Sequence, residues 1–174
     1  MDNNINIVTA DGVAQFRLPR FNEIPDVGLY LEQTTKYING YLAPIGFEIT
    51  GSMIRNYVKM GLVKNPQHKQ YFADQIGHLI AITVLKNVIS LENVASLFVL
   101  QLKEYPDPVA YDYFCMELEN MVSFQFGLKD SVDKIGNTSS VSKKMLRSAL
   151  IAVSHIIYLK SCFTRLSTET DGSL

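Results

Sequence analysis

The six prolines divide this chain more firmly than any other feature. Proline fixes φ, lacks an amide hydrogen and pushes its predecessor out of the helical region, so it falls at the borders of regular elements. Pro19 and Pro25 keep the chain extended, Pro44 closes a first helical stretch, Pro66 stands in a loop, and Pro106 and Pro108 mark a later break. Between these points apolar residues recur at helical spacing. That spacing predicts a helix from near Val27 to just before Pro44, carrying Tyr30, Thr34, Tyr37, Ile38 and Tyr41. A short helix follows, with Thr50 as its N-cap and Gly61 as the residue that ends it. Residues 62–72 read as a loop or tight ribbon. Helices are expected at 73–88 and 91–103, the second capped by Ser90, and at about 107–127 and 141–163 beyond the break. Near the start, Ile5–Val8 and Val13–Phe16 alternate around Asp11-Gly12, a favoured hairpin turn. The tail after Phe163 has too little apolar content to order itself.

The expected fold is therefore mainly α. It has an N-terminal arm with a short hairpin over 1–22, a helical domain over 23–104, a helical dimerisation or sensing segment over 105–163, and a disordered tail over 164–174. Apolar residues form 47% of the chain and charged residues 19%, which is enough to bury a core. The apolar runs are short: Leu79–Leu85 stops at Lys86, and the run after Ala149 is broken by Ser154, His155 and Lys160. No membrane span is expected, since spanning takes about 20 apolar residues. The opening MDNNINIV has neither a basic nor an apolar leader region. Cys115 and Cys162 cannot make a disulfide framework and lack CxxC spacing, so a cytoplasmic setting is expected.

Candidate chemistry is sparse. Asp74 and His78 are spaced i,i+4 but lack a third metal ligand, and read as a surface capping pair. His155 lies in an apolar stretch and reads as a satisfied or partly buried histidine, while both cysteines read as packing residues. There is no glycine-rich phosphate loop, nucleophile elbow or paired-carboxylate motif. Neither an enzyme, a metal nor a cofactor is expected.

Charge, by contrast, is unevenly spread. The net charge is −1, but the stretch between Glu48 and Asp74 has no carboxylate and carries Arg55, Lys59, Lys64, His68 and Lys69. Residues 105–128 hold Asp107, Asp112, Glu117 and Glu119 with no Lys or Arg, whereas 141–165 are basic without an acid. The latter two segments are expected to pack together, and the first to meet a polyanion. On a helical wheel at about 100° per residue, Ser52, Arg55, Asn56 and Lys59 share one arc, while Met53, Ile54, Tyr57, Val58 and Met60 fill the opposite side. Arg pairs with guanine or phosphate, Asn reads adenine, and Ser and Lys take phosphates or base edges. A helix of this size fits the major groove of duplex DNA. The helix before it gives a helix–turn–helix order, and Lys64, His68 and Lys69 sit where a wing would grip the backbone.

Two resemblances rest on these residues. Ile54-Arg55-Asn56-Tyr57-Val58-Lys59-Met60-Gly61-Leu62-Val63, with His68-Lys69-Gln70-Tyr71 and the two following helices, resembles the recognition helix and wing of MerR-type regulators. A closer likeness, over about 17–103, is to the bacterial domain-of-unknown-function family 1836. It rests on Leu18-Pro19-Arg20, Ile24-Pro25, Leu29-Tyr30, Gln33, Ile49-Thr50-Gly51-Ser52-Met53-Ile54, Asn56-Tyr57-Val58-Lys59 and Leu85-Lys86. The MerR resemblance implies a winged helix-turn-helix domain that binds double-stranded DNA. Tyr57 would touch phosphate by that resemblance, but the wheel puts its ring in the core. No coiled-coil heptad and no cysteine metal-sensing motif reads out of the C-terminal segment.

The expected whole is a MerR-like winged helix-turn-helix domain with a C-terminal helical hairpin. It would act as a bacterial transcriptional regulator binding DNA through Ser52, Arg55, Asn56, Lys59, Lys64, His68 and Lys69. A homodimer is expected, because one short recognition helix makes few contacts. Tyr113, Phe124 and Phe126, on a helix apolar on two sides, are expected to form a dimer surface or to meet a small apolar effector. The alternative is a helical protein-interaction or ligand-sensing module that has lost DNA binding. A carboxylate packed over Arg55 and Lys59 would favour that alternative; an exposed basic strip would favour DNA.

Overall fold

The structure, a computed structural model, describes residues 10–136 and 139–171. Its elements are α1 (Ala10–Val13), β1 (Leu29–Tyr30), α2 (Leu31–Leu42), α3 (Gly51–Lys59), β2 (Gln70–Tyr71), α4 (Ala73–Leu85), α5 (Leu91–Glu104), α6 (Asp107–Gln125) and α7 (Val141–Asp171). Single 3-10 turns occupy Phe21–Glu23 and Ala43–Ile45. The mainly helical class expected from the proline and apolar spacing is the class observed.

The fold is organised around α4. Ile76, Leu79, Ile80, Ile82, Val84 and Leu85 are all fully buried, so this helix is apolar all round and must be covered all round. The helices α2, α5, α6 and α7 pack against it. Gly77 lets α6 come close, since a Cβ there would meet the Tyr111 ring at 3.2 Å. The two-sided apolar pattern of α6 is explained in the same way: Phe114, Cys115, Leu118, Met121 and Val122 are buried. The helix packs on α4, on the 21–23 turn and along α7. From α7 come Leu146, Leu150, Val153 and Ile157, all buried, with Ile156 half-buried beside them.

Several expectations change. Asp11-Gly12 lies inside the helical turn α1, not at the tip of a hairpin; Val13 is buried and holds that turn against the core. The run Ile5–Val8 lies outside the described residues. Helix α2 starts at Leu31 rather than Val27, because Leu29 and Tyr30 pair as a strand with Tyr71 and Gln70. The tail is helical as far as Asp171, since α7 simply continues past Phe163. His155 is exposed, not buried among apolar neighbours. Val141–Thr168 is long and apolar enough to cross a membrane by length and composition alone, which the broken apolar run had concealed; one face of it is packed on the core.

The acids of α6 also find different partners from those expected. Glu119 takes a two-pronged bond from Arg20 at 2.6 and 2.7 Å and a third from the Leu18 amide at 2.8 Å. Asp112 accepts the Phe21 amide at 2.7 Å, and Asp107 meets His78 at 3.1 Å. Glu117 is fully buried and accepts from the Tyr113 hydroxyl at 2.9 Å. So α6 and α7 pack largely through apolar side chains, and Glu119 and Asp112 of α6 anchor the chain entering the domain.

Candidate nucleic-acid interface

The candidate site is built on α3. Thr50 is extended (φ −114°, ψ 159°) and its hydroxyl accepts the Met53 amide at 3.2 Å, an N-cap as expected. At the other end Gly61 takes φ +75°, with its amide bonded to the Val58 carbonyl and the Leu62 amide to that of Tyr57, both at 3.0 Å. This paired closure needs a left-handed residue, which glycine supplies without a Cβ clash. Within these bounds Ile54 and Tyr57 are buried and Met53 and Val58 half-buried. Burial pushes the Tyr57 phenol above its ordinary pKa, in line with a ring in the core. Met60 departs from the wheel: it is 48% exposed, and its sulfur accepts from the Asn56 amide at 3.5 Å.

Ser52, Arg55, Asn56 and Lys59 are all exposed on the opposite face. Among the described residues no carboxylate lies within ion-pair distance of Arg55 or Lys59. The strip is therefore basic, open and unneutralised.

Two side chains that the sequence reading passed over fix this helix and its neighbour. Asn39 of α2 accepts the Ile49 amide at 2.8 Å and donates to the Ile49 carbonyl at 2.9 Å, fastening the chain just before α3 to the preceding helix. Gln75, buried in the first turn of α4, accepts the Phe72 amide at 2.8 Å and donates to the carbonyls of Lys64 and Asn65 at 3.0 Å. A side-chain amide that fastens distant backbone has no distinctive sequence pattern, which is why neither was visible.

Residues 62–72 resolve into a small hairpin. Strand β2 pairs antiparallel with β1, Leu29 opposite Tyr71 and Tyr30 opposite Gln70. At the tip, Gln67 and Gln70 exchange two backbone hydrogen bonds of 3.0 and 2.9 Å. The two residues between them, His68 (φ +51°) and Lys69 (φ +66°), are both left-handed and both exposed. A two-residue turn with both φ values positive matches strand twist, but it normally carries Asn or Gly. A histidine and a lysine there are held at a cost of about 1 kcal/mol or more each. Gly28 permits the close approach of the strands, since a Cβ there would lie 2.6 Å from the Gln70 Cβ. Burial pushes the Tyr71 phenol above its ordinary pKa and the Arg55 charge opposes that rise, so Arg55 of α3 stands near the base of the hairpin.

Ser52, Arg55, Asn56 and Lys59 thus share the exposed face of α3, and His68 and Lys69 share the exposed hairpin tip. Lys64 stands apart, paired with Asp74 at 3.4 Å. Asp74 and His78 do not form a capping pair with each other: Asp74 takes Lys64, and His78 meets Asp107 and stacks on Phe98 at 5.0 Å. Among the described residues no cluster of three metal-binding side chains occurs.

The second candidate group does not assemble. Phe126 is buried, at the C-cap of α6, with its ring edge-on to Tyr158 at 5.4 Å. The Phe126 amide bonds the Val122 carbonyl at 3.0 Å, so the ring keeps the register of buried Leu118 and Val122, and Gly127 (φ +69°) turns the chain after it. Phe124 is exposed. Tyr113 is half-buried in a separate pocket of about 340 Å³ lined also by Tyr105, Val109, Met116 and Lys143. The ammonium of Lys143 lies 4.9 Å from both tyrosine rings. Cys115 is a packing residue, its thiol pushed up to about 12 by burial.

No curated protein and no solved structure matches this chain. Residues 19–114 match the family model described as a domain of unknown function, DUF1836. The matched stretch runs from the Pro19-Arg20 anchor through α3 and the hairpin to Phe114 of α6, more than half of the chain. The chain belongs to the DUF1836 family.

Proposed function

We propose that this protein is a sequence-specific, double-stranded DNA-binding transcriptional regulator of the bacterial cytoplasm, acting as a homodimer through a MerR-like winged helix-turn-helix. The observation that carries this reading is the exposed strip Ser52, Arg55, Asn56 and Lys59, with no carboxylate in ion-pair reach of Arg55 or Lys59 among the described residues, together with an exposed hairpin tip of His68 and Lys69. In this reading α3 enters the major groove, where Arg55 and Asn56 read base edges and Ser52 and Lys59 hold phosphates. The strained tip is the wing. Two consecutive left-handed residues without glycine persist where the surroundings or the function require them, and here both side chains point their chemistry at solvent. Lys64 contributes less than its position in the sequence implies, because Asp74 already holds it. A small apolar effector would enter the pocket at Tyr113, between α5 and α6.

The test is a mobility-shift competition on duplex DNA from upstream of the protein's own gene, against a scrambled duplex of equal length. Preference for the native sequence supports the reading. Equal affinity for both, or no shift at low salt, favours the helical interaction module.

A further inference from the structure

Lys86 caps the C-terminal end of α4 and plays no part in the basic strip of α3. A cation at the end of a helix ordinarily meets the free carbonyls there. Those carbonyls are already taken. Ile82 accepts the Lys86 amide at 3.0 Å, the Asn87 side chain donates to Thr83 and Val84 at 2.8 and 2.9 Å, and Leu85 accepts the Val88 amide at 3.0 Å. The Lys86 ammonium instead crosses to α3, where the Met53 sulfur, a weak acceptor, lies 3.9 Å away. It is half-buried, and burial holds it below its ordinary pKa; the Glu48 charge opposes that fall and the Lys160 charge adds to it.

Lys86 and Lys160 line one cleft of about 500 Å³, with Asn39, Phe47, Glu48 and Asn87 also in its wall. Lys160 is fixed there: its ammonium donates to the Gly46 carbonyl at 3.0 Å and lies 5.0 Å from the centre of the Phe47 ring. Among the described residues neither ammonium has a carboxylate within ion-pair distance. Two like charges thus face one space, and such a pair repels itself and attracts an anion. The neutral side-chain donors are engaged elsewhere. Asn39 is bound to the Ile49 backbone, the Asn87 nitrogen to Thr83 and Val84, and the Thr83 hydroxyl to the Leu79 carbonyl at 2.7 Å. The cleft therefore offers ammonium hydrogens, together with two acceptors, the exposed Glu48 carboxylate and the Asn87 side-chain oxygen.

We infer that this cleft binds a small phosphorylated polyol, its phosphate bridging the Lys86 and Lys160 ammoniums and its hydroxyls donating to Glu48 and Asn87. The donors select phosphate over carboxylate. Two separate ammoniums act as point charges on a tetrahedral dianion, whereas a planar carboxylate is matched by an arginine fork, and no arginine lines the cleft. The volume is far larger than a phosphate group and falls in the ordinary range of small-molecule sites. A concave wall with a half-buried lysine suits a free ester better than a duplex backbone, whose phosphates meet exposed side chains such as those of α3. The inference rests on the cleft alone and holds whether or not α3 meets DNA.

The test uses the full chain at constant ionic strength and about pH 7.5, where a phosphate monoester is mostly a dianion. Glucose 6-phosphate should raise the melting temperature. It should also shield Lys86 and Lys160 from acetylation by acetic anhydride, read by mass spectrometry, while exposed Lys59 and Lys69 stay reactive. Inorganic phosphate should need a roughly 10-fold higher concentration for the same shielding, and glucose should give none. Lys86→Met should weaken glucose 6-phosphate binding by at least ~10-fold. Without the ester, that variant should melt no lower than the unaltered chain, because a half-buried ammonium beside a like charge is gone. A lysine with a purely structural role would melt lower when replaced. Lys160→Met should abolish the shielding of Lys86 at a temperature where circular dichroism shows the variant folded. The proposal is overturned by shielding from duplex DNA but not from glucose 6-phosphate, or by equal shielding of Lys59. A Lys86→Met chain that melts lower and still binds the ester overturns it as well.

Discussion

Arg55 and Ile54 are neighbours in the chain and opposites in the fold, and the difference is measurable. Arg55→Ala should cost about 1–3 kcal/mol of specific DNA affinity and relax base preference while leaving the melting temperature unchanged. Ile54→Ala removes a fully buried side chain and should destabilise the domain by about 2–5 kcal/mol. Equal melting losses in the two variants would put the basic strip on the wrong face. Lys69 offers a test in which stability and binding move in opposite directions. Lys69→Gly releases a left-handed residue and should stabilise the protein by roughly 1 kcal/mol. It should also weaken native and scrambled DNA alike, flattening the salt dependence by about one unit for the lost phosphate contact. The basic face of α3 was legible in the sequence because helical period alone sorts Arg55 from Ile54. The turn at His68-Lys69 was not, because neither residue is the Asn or Gly that marks such a turn; hairpin closure imposes it. Phe126 was misread as surface for another reason: it continues the stripe of Leu118 and Val122, and only the packing of α7 shows that this side is covered.

Between elements, the relation of α2 to α3 hangs on one amide. Asn39→Ala strips both hydrogen bonds from Ile49 and should cost about 1–3 kcal/mol, the price of leaving buried backbone groups unpaired. Because Asn39 holds the chain before α3 and is not part of the basic strip, its loss should reduce affinity for native and scrambled duplex together without changing which bases are preferred. A variant that melts normally would show that the Ala43–Ile45 turn, closed by Gly46 at φ +74°, holds the angle by itself. The helices themselves were largely legible: Thr50, Gly61 and Ser90 bound their helices as their residue types require. Pairing between elements was the harder part. Opposite charge on 105–128 and 141–165 suggested an electrostatic contact, yet Glu119 and Asp112 turn to Arg20 and Phe21. Charge balance along a chain says which residues need partners, and only the packing of α6 decides which are in reach.

For the whole molecule, a dimer with about four phosphate contacts per copy should give a slope of log affinity against log salt of roughly −7. A slope near zero would leave the basic strip without a polyanion to bind. A second whole-molecule test is alkaline. Burial raises the phenols of Tyr37, Tyr57, Tyr71, Tyr111 and Tyr113 and the Cys115 thiol, with Tyr113 and Cys115 pushed up to about 12. Groups whose proton is held more tightly in the folded chain stabilise it fully below their unfolded pKa and lose that contribution as pH rises towards the folded value. The melting temperature should thus hold steady to about pH 8 and fall between about pH 9 and 12, the tyrosinate absorbance appearing together with unfolding. Tyrosinate absorbance from these residues in a still-folded protein would contradict the burial. The Arg20–Glu119 clamp has a consequence of another kind. Glu119 lies beyond residue 114, where the family resemblance ends, and so do the α7 side chains that cover α6. The stretch that kinship marks out is thus shorter than the stretch that can stand alone. Excised at those borders, the shared segment would carry an arginine with no acceptor and a flayed flank of α6, so inheritance and autonomy part company within one helix.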